Sequence, residues 1–405
     1  MVSDARLEVR THGSIRELGE EAYRSLLDDE TPPFLRFEWL DALERTGCVS
    51  PKRGWLPMHL AFHVEGELVA AAPAYVKGNS EGEFVFDHSW ARFAEAELGI
   101  AYYPKLIVAV PFTPATGPRL LVRAGTPREP LVAALCEALR VVCRDGKLSS
   151  AHVLFPTAEL ASACAERGLL ERHGVQFQWH NPGYATFDDF LARFDAKKRH
   201  QIRRERRALA ERGVELEVLT GSTLGPEHAD FIFDFYVATV DKFAWGRRYL
   251  NRAFFEEVCS TMPEALHVVA AREPGGRRLG GAFNLLGKQR LYGRYWGALA
   301  DVPFLHFNVC FYKGIEEAIE RKLSGFEPGA GGEHKVARGF EPTVTHSVHY
   351  LADPRLRGAV AQHLVGEREA VDSHVSEAEP VLKPVSGSPD PAPISDPLAR
   401  RRRLL

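Results

Sequence analysis

Glu333, His334, Lys335 and Arg338 fall within six consecutive residues, framed by Gly329, Gly331, Gly332 and Gly339. A turn needs glycines, which reach positive φ without a Cβ clash. It does not need four titratable side chains beside them. Glycines that let backbone approach a ligand, next to groups that move protons or hold anions, are what an active-site loop carries. A solvated charged turn is the plain alternative. Histidine is the side chain best suited to proton transfer near neutral pH, which singles out His334 in the loop and His306 ahead of the preceding helical stretch.

Three further groups could do chemistry. The strand-like run Leu291–Gly297 (LYGRYWG) alternates so that Tyr292, Arg294 and Trp296 share one face and Gly293, Tyr295 and Gly297 the other. The small-residue face lets a substrate come close, and Tyr292 or Tyr295 could act as a general acid. A core tyrosine with its hydroxyl hydrogen-bonded would look the same. The run KKRHQIRRERR puts Arg199, Arg203 and Arg206 on one helical face, with Lys198 beside them. Guanidinium forks match two phosphate oxygens at once; a solvated face balanced by Glu205 and Glu211 is the alternative. Lys105, next to Tyr102 and Tyr103, could hold a carboxylate or phosphate, and Glu83, Val85 and Asp87 share a strand face nearby. Ordinary surface pairs would also fit. The prolines of Val110–Gly117 suggest an irregular wall beside them. His346-x-x-His349 has metal-like spacing, but on a strand these positions point to opposite faces, so no metal is expected.

These groups must be positioned by a mixed α/β chain. Of its 405 residues, 45% are hydrophobic and 26% charged, with a formal net charge of -3. There is no global pull toward nucleic acid or membrane, so anion recognition must be local. Six cysteines in apolar surroundings form no CxxC pair, which suggests buried thiols in a reducing compartment. The first residues lack the apolar core of a signal peptide, and no run approaches the ~18 apolar residues of a membrane helix. A cytoplasmic protein is expected. GxxxxGK[ST], GxSxG and a strand-to-helix GxGxxG are missing, which argues against a P-loop ATPase, an α/β-hydrolase and a dinucleotide-binding fold.

Two regions echo each other, His59–Ala91 and Leu266–Ala298. Each reads as strand, Gly-bearing turn, strand and a third strand ending in a Trp-containing segment (Trp90, Trp296). Helices are expected over Leu131–Arg144, Phe187–Arg212, His228–Phe243, Asn251–Met262 and Phe307–Leu323, and strands over GVELEVLTG and VTHSVHYL. The expected fold is α/β (α+β), two tandem lobes, 1–185 and 186–371, each a mostly antiparallel sheet flanked by helices. The stretch 372–405, rich in Pro and Ser and ending in Arg400–Arg403, is expected to be a disordered tail.

The segments GWLPMHL, EGEFVFDHSWA, YYPKL, VPFTPATGPRLL, QFQWHNPGY, KKRHQIRRERR, LYGRYWG, FLHF and GAGGEHKVARGFEP together resemble the FemAB-like predicted N-acyltransferases, of the peptidoglycan biosynthesis/recognition kind. The resemblance runs from about Phe34 to about Glu369 and implies a tandem GNAT-like fold. It implies transfer of an acyl or aminoacyl group from acyl-CoA or aminoacyl-tRNA, as co-substrate rather than bound cofactor, to an amine on a small molecule or cell-wall precursor. Under it, Glu333 or His334 would take the amine's proton, with His306 as a further candidate, and Tyr292 or Tyr295 would serve the leaving group. Lys335 would stabilise the oxyanion, and Lys198, Arg199, Arg203, Lys335 and Arg338 would bind donor phosphates. Glu83, Asp87, Tyr103, Lys105, Arg294 and Trp296 would contact substrate. The chain departs from the family pattern at Asn308, where an acidic residue is usual, and at Gly331, where glutamine is usual. A non-catalytic binder of cell-wall precursor, RNA or anionic membrane is the alternative.

Overall fold

The computed structural model describes residues 7–242, 246–378 and 381–383, without the side chain of Glu333. Most of the expected tail, including Arg400–Arg403, lies outside the described residues. Its first residues are not tail: Asp372–Ser376 form the last turns of a helix spanning Pro354–Ser376.

The strands are β1 (Leu7–His12), β2 (Trp55–Pro57), β3 (His59–Val64), β4 (Glu67–Ala72), β5 (Ala74–Lys77), β6 (Lys105–Val108), β7 (Leu121–Val122), β8 (Ser150–Leu154), β9 (Leu170–His180), β10 (Glu215–Leu219), β11 (Leu266–Arg272), β12 (Arg278–Leu286), β13 (Arg290–Ala298), β14 (Gly325–Glu327) and β15 (Glu341–Leu351). They form a four-stranded sheet, β1-β3-β4-β7, and an eleven-stranded sheet, β10-β11-β12-β13-β14-β9-β15-β8-β6-β5-β2. The larger sheet runs through both halves of the chain, across the expected boundary at 185–186. Its hinge is β15, which inserts between β8 and β9.

The internal echo holds for the first two strands of each unit and breaks at the third. β3–β4 and β11–β12 are both antiparallel hairpins, and β13 completes the second meander. In the first, EFVFDHSWA is not a strand: residues 78–87 are loop, and His88–Glu97 is a helix that buries Trp90, Ala91 and Ala94. Those three positions follow helical spacing, and the helix wins where alternation misleads. Lys105, expected near an irregular wall, begins β6, which lies inside the large sheet between β5 and β8.

The helices follow their apolar stripes. Arg128–Asp145 buries Leu131, Leu135, Cys136, Leu139 and Cys143, a period-3.6 pattern. The expected single helix Phe187–Arg212 is two, Phe187–Ala192 and Ala196–Ala210. Asp195 interrupts it by accepting the Lys198 N–H at 2.7 Å, which starts a new helix. All six cysteines are free thiols, five of them buried. Among the described residues no helix is long and apolar enough to cross a membrane.

Candidate active site

β13 and β14 run parallel and pair only through Arg290–Tyr292 against Gly325–Glu327. Beyond Tyr292 they part. Gly293–Ala298 has no strand partner on that edge among the described residues, and the loop from Pro328 takes the place of β14. The loop stays close: a Cβ on Gly293 would lie 3.1 Å from Pro328. A bulge opens β13 at Arg294, because Gly293 pairs with Asn284 and Tyr295 with Phe283. One extra residue reverses the alternation. Tyr292 and Tyr295 therefore pack into the same apolar core, contrary to the expected opposite faces.

The loop ends in a single helical turn, Glu333–Arg338, that enters through Gly332 at φ +94 and leaves through Gly339 at φ +83. A Cβ on Gly339 would also sit 2.9 Å from the Phe190 ring, so both conformation and space require glycine there. Opposite this turn, Phe304 adopts φ +64 and launches the short helix Leu305–Phe307. That places the His306 ring on Trp296, stacked at 4.1 Å between centroids, and 5.4 Å from the His334 ring. Trp296, Phe304, His306 and Phe307, with Lys242 and Asp301, line a cavity of about 520 Å³.

The electrostatics favour neutral bases. Burial, then repulsion from His334 when it is protonated and from Arg338 and Lys335, brings the His306 pKa down to about 4. Burial and the same two cations lower His334. Lys335 is buried, donates from Nζ to the Gly329 carbonyl at 2.7 Å, and is lowered by burial to about 8. His306 lines the cavity and the His334 ring stands 5.4 Å behind it; two imidazoles with lowered pKa values are groups that can take up a proton.

Behind the cavity lies a network that sequence reasoning missed. Glu205, 2% exposed, accepts from both Arg338 Nη2 (3.1 Å to Oε2) and the Tyr312 hydroxyl. Gln201 Nε2 donates to Glu205 Oε1 at 2.9 Å. Arg338 Nε donates to Tyr312 at 3.0 Å, and its guanidinium lies 3.3 Å from the Phe307 ring centroid. Asn308 and Tyr312 bound a π-helical turn within the expected helix Phe307–Leu323. Asn308 Nδ2 donates to the Glu205 and Phe304 carbonyls, both at 3.0 Å. The readable signal was Glu205 itself: it shares the buried stripe of its helix with Ile202 and Leu209, where a carboxylate must have a partner. Glu327 was missed too. It is buried at the end of β14, its Oε2 without a partner, and burial raises it to about 7 against the pull of Arg290.

Other expected site residues are placed as follows. His306, His334, Lys335, Trp296 and Arg338 come together. Glu333 belongs to the turn, but its side chain lies outside the described residues. Arg338 is engaged by Glu205, Tyr312 and the His334 carbonyl, which corrects its reading as a phosphate ligand. Tyr292 is 6% exposed against Phe34, and Tyr295 packs on Tyr236. Both phenols are packed against the apolar core rather than lining the cavity, which counts against the general-acid reading; burial raises both hydroxyl pKa values. Arg294 is tied to the Phe112 carbonyl. Arg199 caps the Phe194 carbonyl at 2.8 Å, Lys198 bonds to Gln201, and Arg203 reaches Asp188 at 3.3 Å on the surface.

The group in the first lobe is buried rather than surface-facing. Lys105 Nζ donates to Asp87 at 2.6 Å, Glu83 at 2.7 Å and Ser80 at 2.9 Å, and Tyr103 bonds to Ser80 at 2.8 Å. Lys105, Asp87 and Glu83 are 0%, 2% and 4% exposed, so no substrate reaches them in this conformation. Burial raises Glu83 to about 7 although Lys105 pulls it down. Burial opposes ionising Asp87 as well, but Lys105 and His152 keep it low.

No curated protein matches the sequence. Among solved structures, FemX is similar at 11% identity and TM-score 0.52, covering 88% of this chain and 100% of its own. A tandem GNAT protein from the clavulanic acid biosynthesis pathway is 13% identical at TM-score 0.43, covering 86% and 99%. The likeness to FemX is one of fold, a mixed α/β arrangement across nearly the whole chain. A family profile described as peptidoglycan biosynthesis/recognition matches residues 14–383, nearly all of the described chain, and the protein belongs to this FemAB-like family.

Proposed function

We propose that this protein is an N-acyltransferase that moves an acyl or aminoacyl group from acyl-CoA or aminoacyl-tRNA to an amine on a small molecule or cell-wall precursor. The observation that carries this reading is His306, which lines the cavity and stacks on Trp296 of β13, with the His334 ring 5.4 Å away and both pKa values lowered. An amine attacks only when neutral, so a base must accept its proton. His306, stacked and desolvated, supplies a neutral imidazole throughout the physiological range. Lys335, whose Nζ donates to the Gly329 carbonyl, is the candidate to stabilise the oxyanion of the tetrahedral intermediate, and returning the proton to the leaving group completes the transfer. Arg199 and Arg203, on the basic helix, remain candidates for donor phosphates, with Lys198 beside them. Tyr292, Tyr295 and Arg338 hold the framework instead.

The test is a thermal-shift and turnover screen of the full chain with acyl-CoAs and aminoacyl-tRNAs. A true donor at ~100 times its Kd should stabilise the fold by ~2.7 kcal/mol. The double variant His306→Ala/His334→Ala should keep that binding and lose turnover. Wild-type turnover in the double variant, or no response to any donor, would overturn the reading. Asn308 favours a second reading, a non-catalytic FemAB-like binding protein: both its amide protons are committed to backbone carbonyls, a structural use no carboxylate could make. Donor binding without transfer to any amine would select it.

A further inference from the structure

On the other side of the glycine loop, a second cavity of about 330 Å³ is bordered by Ala330, Gly331, His173, Thr345 and His346. At its edge, two strands bring three metal-ligand side chains together, of which His173 and His346 line the cavity. β9 and β15 pair antiparallel with His173 directly opposite His346. Glu171 precedes His173 by two positions and so shares its face. Glu171 Oε1 lies 3.4 Å from His173 Nε2 and 2.9 Å from His346 Nδ1, and the three ligand atoms all lie within 4.8 Å of one another. Zinc held at ~2.0–2.2 Å in a tetrahedron keeps its ligands about 3.3–3.5 Å apart, so modest side-chain movement closes the three around one ion.

A second, independent feature points the same way. His173 Nδ1 faces Asp372 Oδ1 at 2.7 Å. A carboxylate on one imidazole nitrogen fixes the tautomer that leaves the other free for a metal. The side chains of His173, Glu171 and His346 are 16%, 17% and 18% exposed, which leaves a path from solvent and room for a fourth ligand. The neighbouring cation Arg172 is neutralised by Glu367 at 2.6 Å.

We propose that Glu171, His173 and His346 bind one divalent transition-metal ion, zinc by the chemistry of two imidazoles and a carboxylate, with Asp372 as the outer partner of His173. The expectation of no metal came from His346-x-x-His349, which does split across the sheet: His349 bonds to His152 at 2.6 Å. His346 finds its partners on the next strand instead. An ion here would pin the β9–β15 seam and, through Asp372, the helix Pro354–Ser376.

The experiment takes the full chain, stripped with a chelator, and titrates it with Zn²⁺ by calorimetry and with Co²⁺ by visible absorption. The expected result is one ion per chain, with the d–d bands of tetrahedral nitrogen and oxygen coordination. His173→Ala and His346→Ala should abolish binding, and Asp372→Asn should weaken it ~10–100-fold. His200→Ala, at an exposed histidine of the helix Ala196–Ala210, should change nothing. Absence of stoichiometric Co²⁺ or Zn²⁺ binding by the wild-type chain overturns the proposal, whatever the folding of the variants. So does binding that Asp372→Asn, His173→Ala and His346→Ala all leave unchanged.

Discussion

Glu205 shows how a single side chain can be misread from its neighbours. Among arginines it looks like a surface counter-charge, yet it is buried and held by Arg338 and Tyr312. Breaking a buried pair by removing one partner leaves an uncompensated charge and costs about 3–5 kcal/mol. Arg338→Ala should therefore lower stability by that amount in urea unfolding, while Glu205→Gln/Arg338→Met together should recover most of the loss. Additive losses would show that the two side chains do not act as a pair. His306 yields a prediction in pH. Its folded pKa of about 4 lies below the ordinary histidine value of 6.5. Between these values the unfolded chain binds more protons, so stability contributed through His306 rises with pH from about 4 to 6.5. Ring NMR should show His306 titrating near 4, and His306→Phe should flatten that part of the stability profile. A titration near 6.5 would remove the neutral-base assignment.

At the scale of elements, much of the design was legible and the failures have physical causes. The stripes of Leu131–Arg144 and Phe307–Leu323 marked real helices because burial and period agreed. LYGRYWG marked a real strand, but a bulge cannot be read from alternation, so the faces of Tyr295 and Trp296 came out exchanged. The glycine loop was legible as a turn because Gly332 and Gly339 need positive φ. The Glu171–His173–His346 set was not, because its two halves are far apart in sequence and meet only through strand pairing. Within Phe307–Leu323 the π-helical turn at Asn308–Tyr312 was equally hidden. Asn308→Asp, which restores the acid usual in the family, tests that turn. It would set a carboxylate against two carbonyl oxygens and remove the side-chain donor they share, while the Phe304 carbonyl keeps the Asn308 N–H at 3.1 Å. The expected cost is about 1–3 kcal/mol at pH 7, shrinking at acid pH where the carboxyl can donate. Thermal denaturation of the variant against wild type at both pH values measures it, and an unchanged or raised melting temperature at pH 7 would show that the amide is not structural.

The whole molecule is less divisible than its two lobes suggest. β15, from the last part of the chain, pairs with β9 over nine residue pairs and with β8 over five. Without it the two strands that close the first half have no common neighbour. The apolar core crosses the same boundary: Trp39 meets Phe254 at 5.0 Å, Phe34 meets Tyr292 at 5.2 Å, and Phe112 stacks on Tyr249 at 4.8 Å. Neither half can bury these aromatic faces alone, and exposing them together with unpaired strand edges favours aggregation. The full chain should therefore unfold in one calorimetric transition, with the van't Hoff enthalpy close to the calorimetric one, although chains of this length commonly unfold in steps. A fragment ending at residue 185 should fail to give a cooperative transition. Two resolved transitions in the full chain, or a fragment 1–185 that melts cooperatively on its own, would show that the shared sheet and core do not couple the lobes.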